Sequence, residues 1–500
     1  MESYHGLIDR AAGIVSRMEG AFTRRAAFGW FGTAVVGTMA RADRLGVTSV
    51  VRALGLDGDR AYESLLHLFR SEAWSAGGLA ACWCRAVRDC APLLRRGGRV
   101  LLPLDGVKVV KEGSRMPGVK RQHQESGDSG KPETMFGHLF GCVGALAGES
   151  LSSCFCVPLS CGLQDGMRAA AGWEGSPFPD DTHVVQAARQ AFEAASAMGE
   201  PAYAIADRYF LAKTALEELA RLNGMAWRGL SDEGAPQPTV HLLSKAKSTC
   251  VAFEPPPQRP PGSRGRPAKR GASVRLADLF SDGTPFEAGA ATISGEEVPL
   301  EFLVRDLLWG EGLYAEMRFV LVRCRGYETI LATTDRSMSA RDAVELYAAR
   351  FGIECSFRAM KSDVGAFGYR FWTLACPELD RYAKSGSPDR LEGVGGEGER
   401  ARVLACAEAI SRFVAVCCVA TGVAQVLALS QPVGGELDSL LYKRTRGRAA
   451  KVSERTVLAV FRDRAREWVL CRKGGGPAGR LAGFIRSKTP QGRCGEARRR

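Results

Sequence analysis

Tyr347, Arg350, Glu354 and Lys361 follow one another at spacings of three, four and seven residues in YAARFGIECSFRAMK, residues 347–361. At about 100° per residue they fall within about 60° of one another around a helix, so they share one stripe. A carboxylate flanked by Arg, Lys and Tyr suits a catalytic metal ligand beside a bound phosphodiester. The same pattern also occurs on an amphipathic helix whose polar face is only solvated. Two further carboxylates stand where apolar runs end: Asp105 after RVLLPL, and Asp207 in PAYAIADRYF. Phosphodiester chemistry needs an activated water or 3′-hydroxyl and a stabilised leaving alkoxide. Two divalent ions roughly 3.5–4 Å apart supply both. Three carboxylates, waters and phosphate oxygens are a donor set that Mg²⁺ accepts. Without metal, three clustered acids repel one another.

Each of these residues has a plainer reading. Asp105 precedes Gly106, and Asp-Gly is common in turns. Asp207 is placed to cap the helix that follows it. Asp335 also ends an apolar run and competes for the third position. It lacks the Tyr-Arg-Lys surround and reads as a turn residue. Lys108, Lys111, Lys120, Arg121 and His123 follow the first acid and either line a DNA path or are solvated charges. Arg264-Gly265-Arg266-Pro267 has the form of a minor-groove hook or of a charged linker. Trp227 and Trp309 either stack on a distorted base or belong to the core.

The surrounding elements must bring these groups together. Residues 1–95 read as helical and basic. Helices over 41–56 and 61–71, around Gly55, Asp57 and Gly58, suit a helix-turn-helix-like DNA reader or an ordinary bundle. In the first case Arg24, Arg25, Arg41, Arg44 and Arg52 supply phosphate contacts. From 96 to 231 the order is strand (99–104), paired strands (135–148 and 150–160), helix (182–199, stopped by Gly199), strand (201–210), helix (211–224, stopped by Gly224) and strand (225–231). Residues 232–318 read as a β-rich insertion with the mobile Pro- and Arg-rich loop FEPPPQRPPGSRGRPAKRG. Residues 319–430 return to strand. They then carry the signature helix, started by Ser339 and Asp342, and an apolar covering helix. Residues 431–500 form a basic C-terminal region. Its end, 472–500, has nine Arg or Lys against one acid and is expected to be disordered.

The balance of 68 Lys and Arg against 55 Asp and Glu gives +13, which favours a polyanionic partner. Sixteen cysteines are scattered with no C-x-x-C pair, so a zinc module is not expected. They suit reduced, buried thiols of a cytosolic protein. The first twenty residues include Glu2, Asp9, Arg10, Arg17 and Glu19, unlike a signal peptide. Residues 413–429 are about as long as the shortest membrane spans, but Thr421 and Gln425 favour a buried helix.

Over residues 45 to 376 the chain resembles the DDE transposases of bacterial insertion sequences, in the large group with the Tyr-Arg-Glu-Lys signature. Three stretches carry the resemblance: LDGVKVVKEGSRMPGVKRQHQESGDSGKPETMFGH, ADRYF, and TTDRSMSARDAVELYAARFGIECSFRAMK. GSRGRPAKRG matches the Gly-Arg-Pro loop that such enzymes often carry in their β-insertion. One departure is local: Arg370 stands before Phe371 and Trp372 where relatives often have His. The resemblance implies an α/β, ribonuclease-H-like catalytic core with an inserted β-rich subdomain and a helical N-terminal DNA-binding region. It implies that Asp105, Asp207 and Glu354 bind Mg²⁺ or Mn²⁺, as two ions. Tyr347, Arg350 and Lys361 would hold end phosphates, with Arg264, Arg266, Lys108 and Lys111 as further DNA contacts. The implied partners are double-stranded DNA (terminal inverted repeats and target) and a second copy of the chain in a synaptic dimer, with no membrane. The implied location is cytoplasmic and nucleoid-associated. The expected activity is cleavage at element ends and joining of the 3′-hydroxyl to target. The rivals are a ribonuclease-H-like nuclease or resolvase without strand transfer, and a DNA-binding relic without activity.

Overall fold

A computed structural model of the chain describes residues 2–43, 46–124, 133–228, 239–258, 266–384, 386–431 and 452–490. Five helices come first: α1 (Glu2–Ser16), α2 (Arg25–Ala40), α3 (Gly46–Leu54), α4 (Gly58–Arg70) and α5 (Ala76–Cys90). Then follow β1 (Arg95–Arg96), β2 (Arg99–Val110), β3 (Lys120–His123), β4 (Thr134–Ser150), β5 (Ser153–Leu163), α6 (His183–Met198), β6 (Ala202–Ala206), α7 (Lys213–Arg228) and β7 (Val240–Lys245). Six further strands are β8 (Val251–Phe253), β9 (Ser273–Arg275), β10 (Glu287–Ile293), β11 (Glu296–Trp309), β12 (Ala315–Cys324) and β13 (Tyr327–Thr333). The described chain closes with α8 (Ala340–Ala349), α9 (Gly352–Ala359), α10 (Glu397–Leu429), α11 (Glu454–Cys471) and α12 (Gly476–Arg486).

This is a mixed α/β fold around one large sheet in the order β3-β4-β2-β6-β7-β13-β12-β11-β8-β9. β2, β6 and β7 run parallel at its centre, and β4 and β5 flank them antiparallel. This arrangement is consistent with a ribonuclease-H-like core. Parallel strands need both faces covered, and all five residues of β6 are buried.

Several expectations change. Where a strand was expected at 225–231, α7 continues through Gly224 to Arg228, and 229–231 lie outside the described residues. The LEELARL periodicity outweighs the modest cost of one helical glycine. The parallel neighbour of β6 is instead β7, and Asn223 fastens α7 to it through both amide atoms and the Val240 backbone, each at 3.0 Å. Strands of the β-rich insertion join the core sheet, since β13 pairs with β7 and carries β12 and β11 onto it. Of the C-terminal stretch 472–500, residues 472–490 carry α12, and 491–500 lie outside the described residues. Leu481, Ala482 and Ile485 of α12 are buried, and Gly29 and Gly32 of α2 leave the room that Phe484 and Leu481 occupy. The charge count masked a short apolar face at helical spacing.

α10 is the one described helix long and apolar enough to cross a membrane, yet 78% of its most apolar window is buried inside the fold. It lies against β5, α2, α4 and α5. Arg41, expected on the DNA side, is 2% exposed. Cys142 and Cys161, directly opposed on β4 and β5, form a disulfide, contrary to the expectation of reduced thiols.

Candidate active site

Asp105 is not in a turn. β2 continues through it to Val110, and Asp105 stands where the strand changes partner. Residues 100–103 pair in parallel with β6, and residues 104–110 pair antiparallel with β4. Its Oδ1 accepts the Gly106 amide at 2.7 Å and its Oδ2 accepts Arg350 Nη1 at 3.0 Å. Asp207 follows the last residue of the neighbouring strand β6. Its Oδ1 accepts the Tyr209 amide at 2.8 Å, and its carbonyl accepts the Ser244 hydroxyl from β7 at 2.6 Å. Adjacent parallel strands thus deliver the two aspartates beside each other from a distance of a hundred residues in the chain.

The signature segment is not one straight helix. α8 ends at Ala349 and α9 starts at Gly352. Between them the amides of Ile353 and Glu354 bond three residues back, to Arg350 and Phe351. Gly352 lies at the break and lets the segment pack closely on β5, because a Cβ there would sit 3.3 Å from the Cys156 Cβ. Glu345 moors α8 from the other side, taking Arg96 and the Thr292 amide. The kink keeps Arg350 and Glu354 in register, with Arg350 Nη2 donating to Glu354 Oε1 at 3.0 Å.

Arg350 therefore bridges Asp105 and Glu354 with its two terminal nitrogens. Burial pushes the Asp105 carboxyl up to about 6. Arg350 pulls it down, while the charges of Asp207 and Glu354 raise it further. The Tyr347 phenol is raised by burial, with Asp207 and Asp105 also adding to the shift, and its ring lies 5.8 Å from the Arg350 guanidinium. Arg350 Nε is buried without a hydrogen-bond partner. Asp105, Asp207, Glu354, Tyr347 and Arg350 thus share one electrostatic field.

Carboxylate oxygens are the donors that Mg²⁺ and Mn²⁺ prefer, and the negative pressure on Asp105 is what a cation relieves. Among the described residues no three His, Cys, Asp or Glu side chains are close enough to hold one ion as they stand. The guanidinium lies between two of the acids, so loading metal requires Arg350 to release at least one of them. Asp335 stands elsewhere. It accepts Tyr203 Oη at 2.5 Å and both the amide and hydroxyl of Ser337. Burial works to raise its carboxyl, but these bonds outweigh burial and hold it below the usual range.

The remaining expected contacts divide. Lys361 is exposed beyond α9, and Lys108 is exposed with its ammonium on the His123 carbonyl. Lys111 turns inward instead. It donates to the Phe367 and Tyr369 carbonyls at 2.7 and 3.2 Å, and burial, reinforced by Arg370, lowers it to about 8. It is a clamp in the fold, with its ammonium over the Tyr369 ring as well. Arg266 is exposed; Arg264 and Arg44 lie outside the described residues, as does the side chain of Trp227. Trp309 is partly buried, with its indole N–H on Cys250 Sγ.

Two groups at the site were overlooked. Arg358, exposed on α9, stands four residues after Glu354, a spacing that extends the stripe. His183, first residue of α6, packs its ring 6.1 Å from Phe210. Burial lowers it, while Asp165 and Asp207 raise it and Lys108 lowers it. Nothing in its local sequence marks it, since a His after an N-cap threonine is unremarkable.

Residues 17–148 match a family model described as DDE superfamily endonuclease. The match includes Asp105 and ends before Asp207 and Glu354. It supports a DDE-transposase-like protein with a nuclease- or transposase-type function on DNA, a class that typically uses divalent metal ions. No curated protein matches the chain.

Proposed function

We propose that this protein is a DDE-type DNA transposase of the insertion-sequence group with the Tyr-Arg-Glu-Lys signature. It cleaves at element ends and joins the 3′-hydroxyl to target DNA. The observation that carries the reading is the Arg350 bridge between Asp105 and Glu354, with Asp207 in the same field. Asp105, Asp207 and Glu354 would hold two Mg²⁺ or Mn²⁺ ions, which when bound activate the attacking oxygen and stabilise the leaving one. The protein's own residues do the rest. Arg350 bridges two of the acids until DNA arrives, then turns a nitrogen to the phosphate. Tyr347 stands beside Arg350, its ring 5.8 Å from the guanidinium. Arg358 and Lys361 extend the positive stripe along the backbone. The protein would act as a dimer on paired ends in the nucleoid.

The family description names an endonuclease, which favours cleavage without strand transfer as the second reading. Both are tested by incubating the purified protein with DNA carrying its element ends, Mg²⁺ or Mn²⁺, and a target plasmid. Transposition gives end-specific breaks and joined products. Breaks that are never joined leave the nuclease. With either ion, intact DNA sinks both readings.

The stripe itself gives a separate expectation. Lys361→Ala and Arg358→Ala should each flatten the dependence of DNA affinity on salt by about 0.9 in log–log slope, one phosphate contact apiece. A salt titration that superposes on wild type would return both residues to ordinary solvated charges.

A further inference from the structure

We propose that the strap from Tyr369 to Leu374 is a docking platform for an unstacked base of a DNA strand, with Trp372 carrying the base and Arg370 and Arg70 its flanking phosphates. The inference rests on the DNA reading above.

The strap alternates. Tyr369 and Phe371 point in and are buried, whereas Arg370, Trp372 and Leu374 point out, Trp372 being 57% exposed. The inward residues are heavily fastened. Tyr369 bonds His138 Nδ1 at 2.6 Å, and the Lys111 ammonium lies 3.6 Å from the centre of its ring. The Pro117 carbonyl can only accept, so it fixes the His138 proton on Nε2, and Nδ1 receives the tyrosine hydroxyl. Phe371 packs on Phe69 and Phe413 at 5.9 and 6.1 Å. Further along, the Thr373 amide bonds the Arg115 carbonyl, and Arg115 returns to the Leu374 carbonyl. The outward tryptophan is thus held at a fixed place in water, at little further entropy cost on binding.

A cavity opens on each side of this wall. One, of about 530 Å³, is bounded by α3 and α4 with Arg52, Tyr62 and Arg70, and no acid lines it. The other, of about 840 Å³, carries Lys111 and Arg115 against a single acid, Glu112. Arg52 is paired with Asp43 and Arg115 with Glu378, which leaves Arg370 and Arg70, both exposed, as the principal positive charges facing the wall. An aromatic face between two concave basic surfaces is complementary to a base and its phosphates. A paired duplex does not offer a base face, so the occupant is a base at a duplex end or distortion. Trp309, with its N–H on Cys250 and its ring partly in the core, cannot fill that role without repacking.

The test compares full-length wild type, Trp372→Ala and Trp372→Tyr on a fully paired duplex and on the same duplex with one unpaired 2-aminopurine. Stacking on a protein aromatic is worth about 1–3 kcal/mol per base. Trp372→Ala should therefore weaken binding of the unpaired substrate by about 5- to 150-fold and the paired one by less than about twofold. Trp372→Tyr should restore most of the loss, and 2-aminopurine fluorescence should be quenched by wild type but not by the alanine variant. The side chain lies outside the core, so thermal stability should not move. Equal binding of both substrates by wild type and Trp372→Ala overturns the platform and leaves the function intact. Loss of self-association in Trp372→Ala with DNA binding unchanged makes the strap a protein interface, which also overturns it. A wild type that binds neither DNA overturns the platform and the DNA reading together.

Discussion

Asp207→Asn should abolish DNA cleavage, by at least about a thousandfold or about 4 kcal/mol of barrier, while end-binding stays within about twofold. The asparagine keeps the oxygen that accepts the Tyr209 amide, so the turn after β6 survives. What is lost is one negative charge among three. That charge also acts on Asp105, whose carboxyl is pushed up to about 6 from an ordinary 3.8. An acid with a raised folded pKa penalises the folded state progressively as pH rises from about 4 to about 6, because the unfolded chain releases its proton first. Removing Asp207 eases that penalty, so the variant should melt no lower than wild type at pH 7. Cleavage, gel-shift and melting measurements on one preparation decide it. Cleavage near the wild-type rate takes Asp207 out of the mechanism, and a lower melting temperature contradicts the electrostatic account.

The acids were legible because each stands at a change of pattern. Asp105 ends an apolar run, Asp207 ends another, and Glu354 sits in a four-residue stripe. What the local pattern could not show is how the chain continues past them. β2 runs on beyond Asp105 because Gly106 fits a strand that crosses from one partner to another, so an Asp-Gly pair that suggests a turn is a strand interior. The bend after Arg350 lies where Gly352 packs on β5, a contact about two hundred residues away in sequence that local spacing does not show. β7 was hidden for a related reason. HLLS is too short to be told from an insertion strand until α7 and Asn223 place it beside β6. Charge counting failed most clearly for Lys111 and Arg41, which read as surface groups by type but are turned inward by their partners, Arg41 to full burial.

Arg41→Met should destabilise the protein by about 1.5–3 kcal/mol, the cost expected when charged hydrogen bonds to a buried carbonyl are lost. Arg41 is buried with no carboxylate among its recorded partners. Its Nε and Nη2 donate to the Val364 carbonyl at 3.1 and 2.6 Å, and Nη2 also reaches Gly365 at 3.0 Å. Nη1 reaches the Gly46 carbonyl and Ser49 Oγ at 2.9 and 3.2 Å, at the start of α3. The Val364 and Gly365 carbonyls end the turn that follows α9, so the cation sits on the negative pole of the segment carrying Glu354 and Lys361. Arg462 donates to the Asp363 carbonyl and Arg455 pairs with its carboxylate, so α11 grips the same point. Methionine fills the space and takes both guanidinium donors from the Val364 carbonyl, while the Gly365 and Gly46 carbonyls keep the Gly368 amide and the Ser49 hydroxyl. Arg41→Lys keeps the charge but loses the fork, and should recover about half of the lost stability. Because the latch joins the corner before α3 to the end of the signature segment, cleavage should fall more than DNA affinity in the lysine variant. Urea titrations of the three proteins, with cleavage rates and affinities at one temperature, test this. Midpoints that coincide would show that the buried guanidinium contributes nothing to the fold, and parallel losses of affinity and cleavage would show that it does not position Glu354.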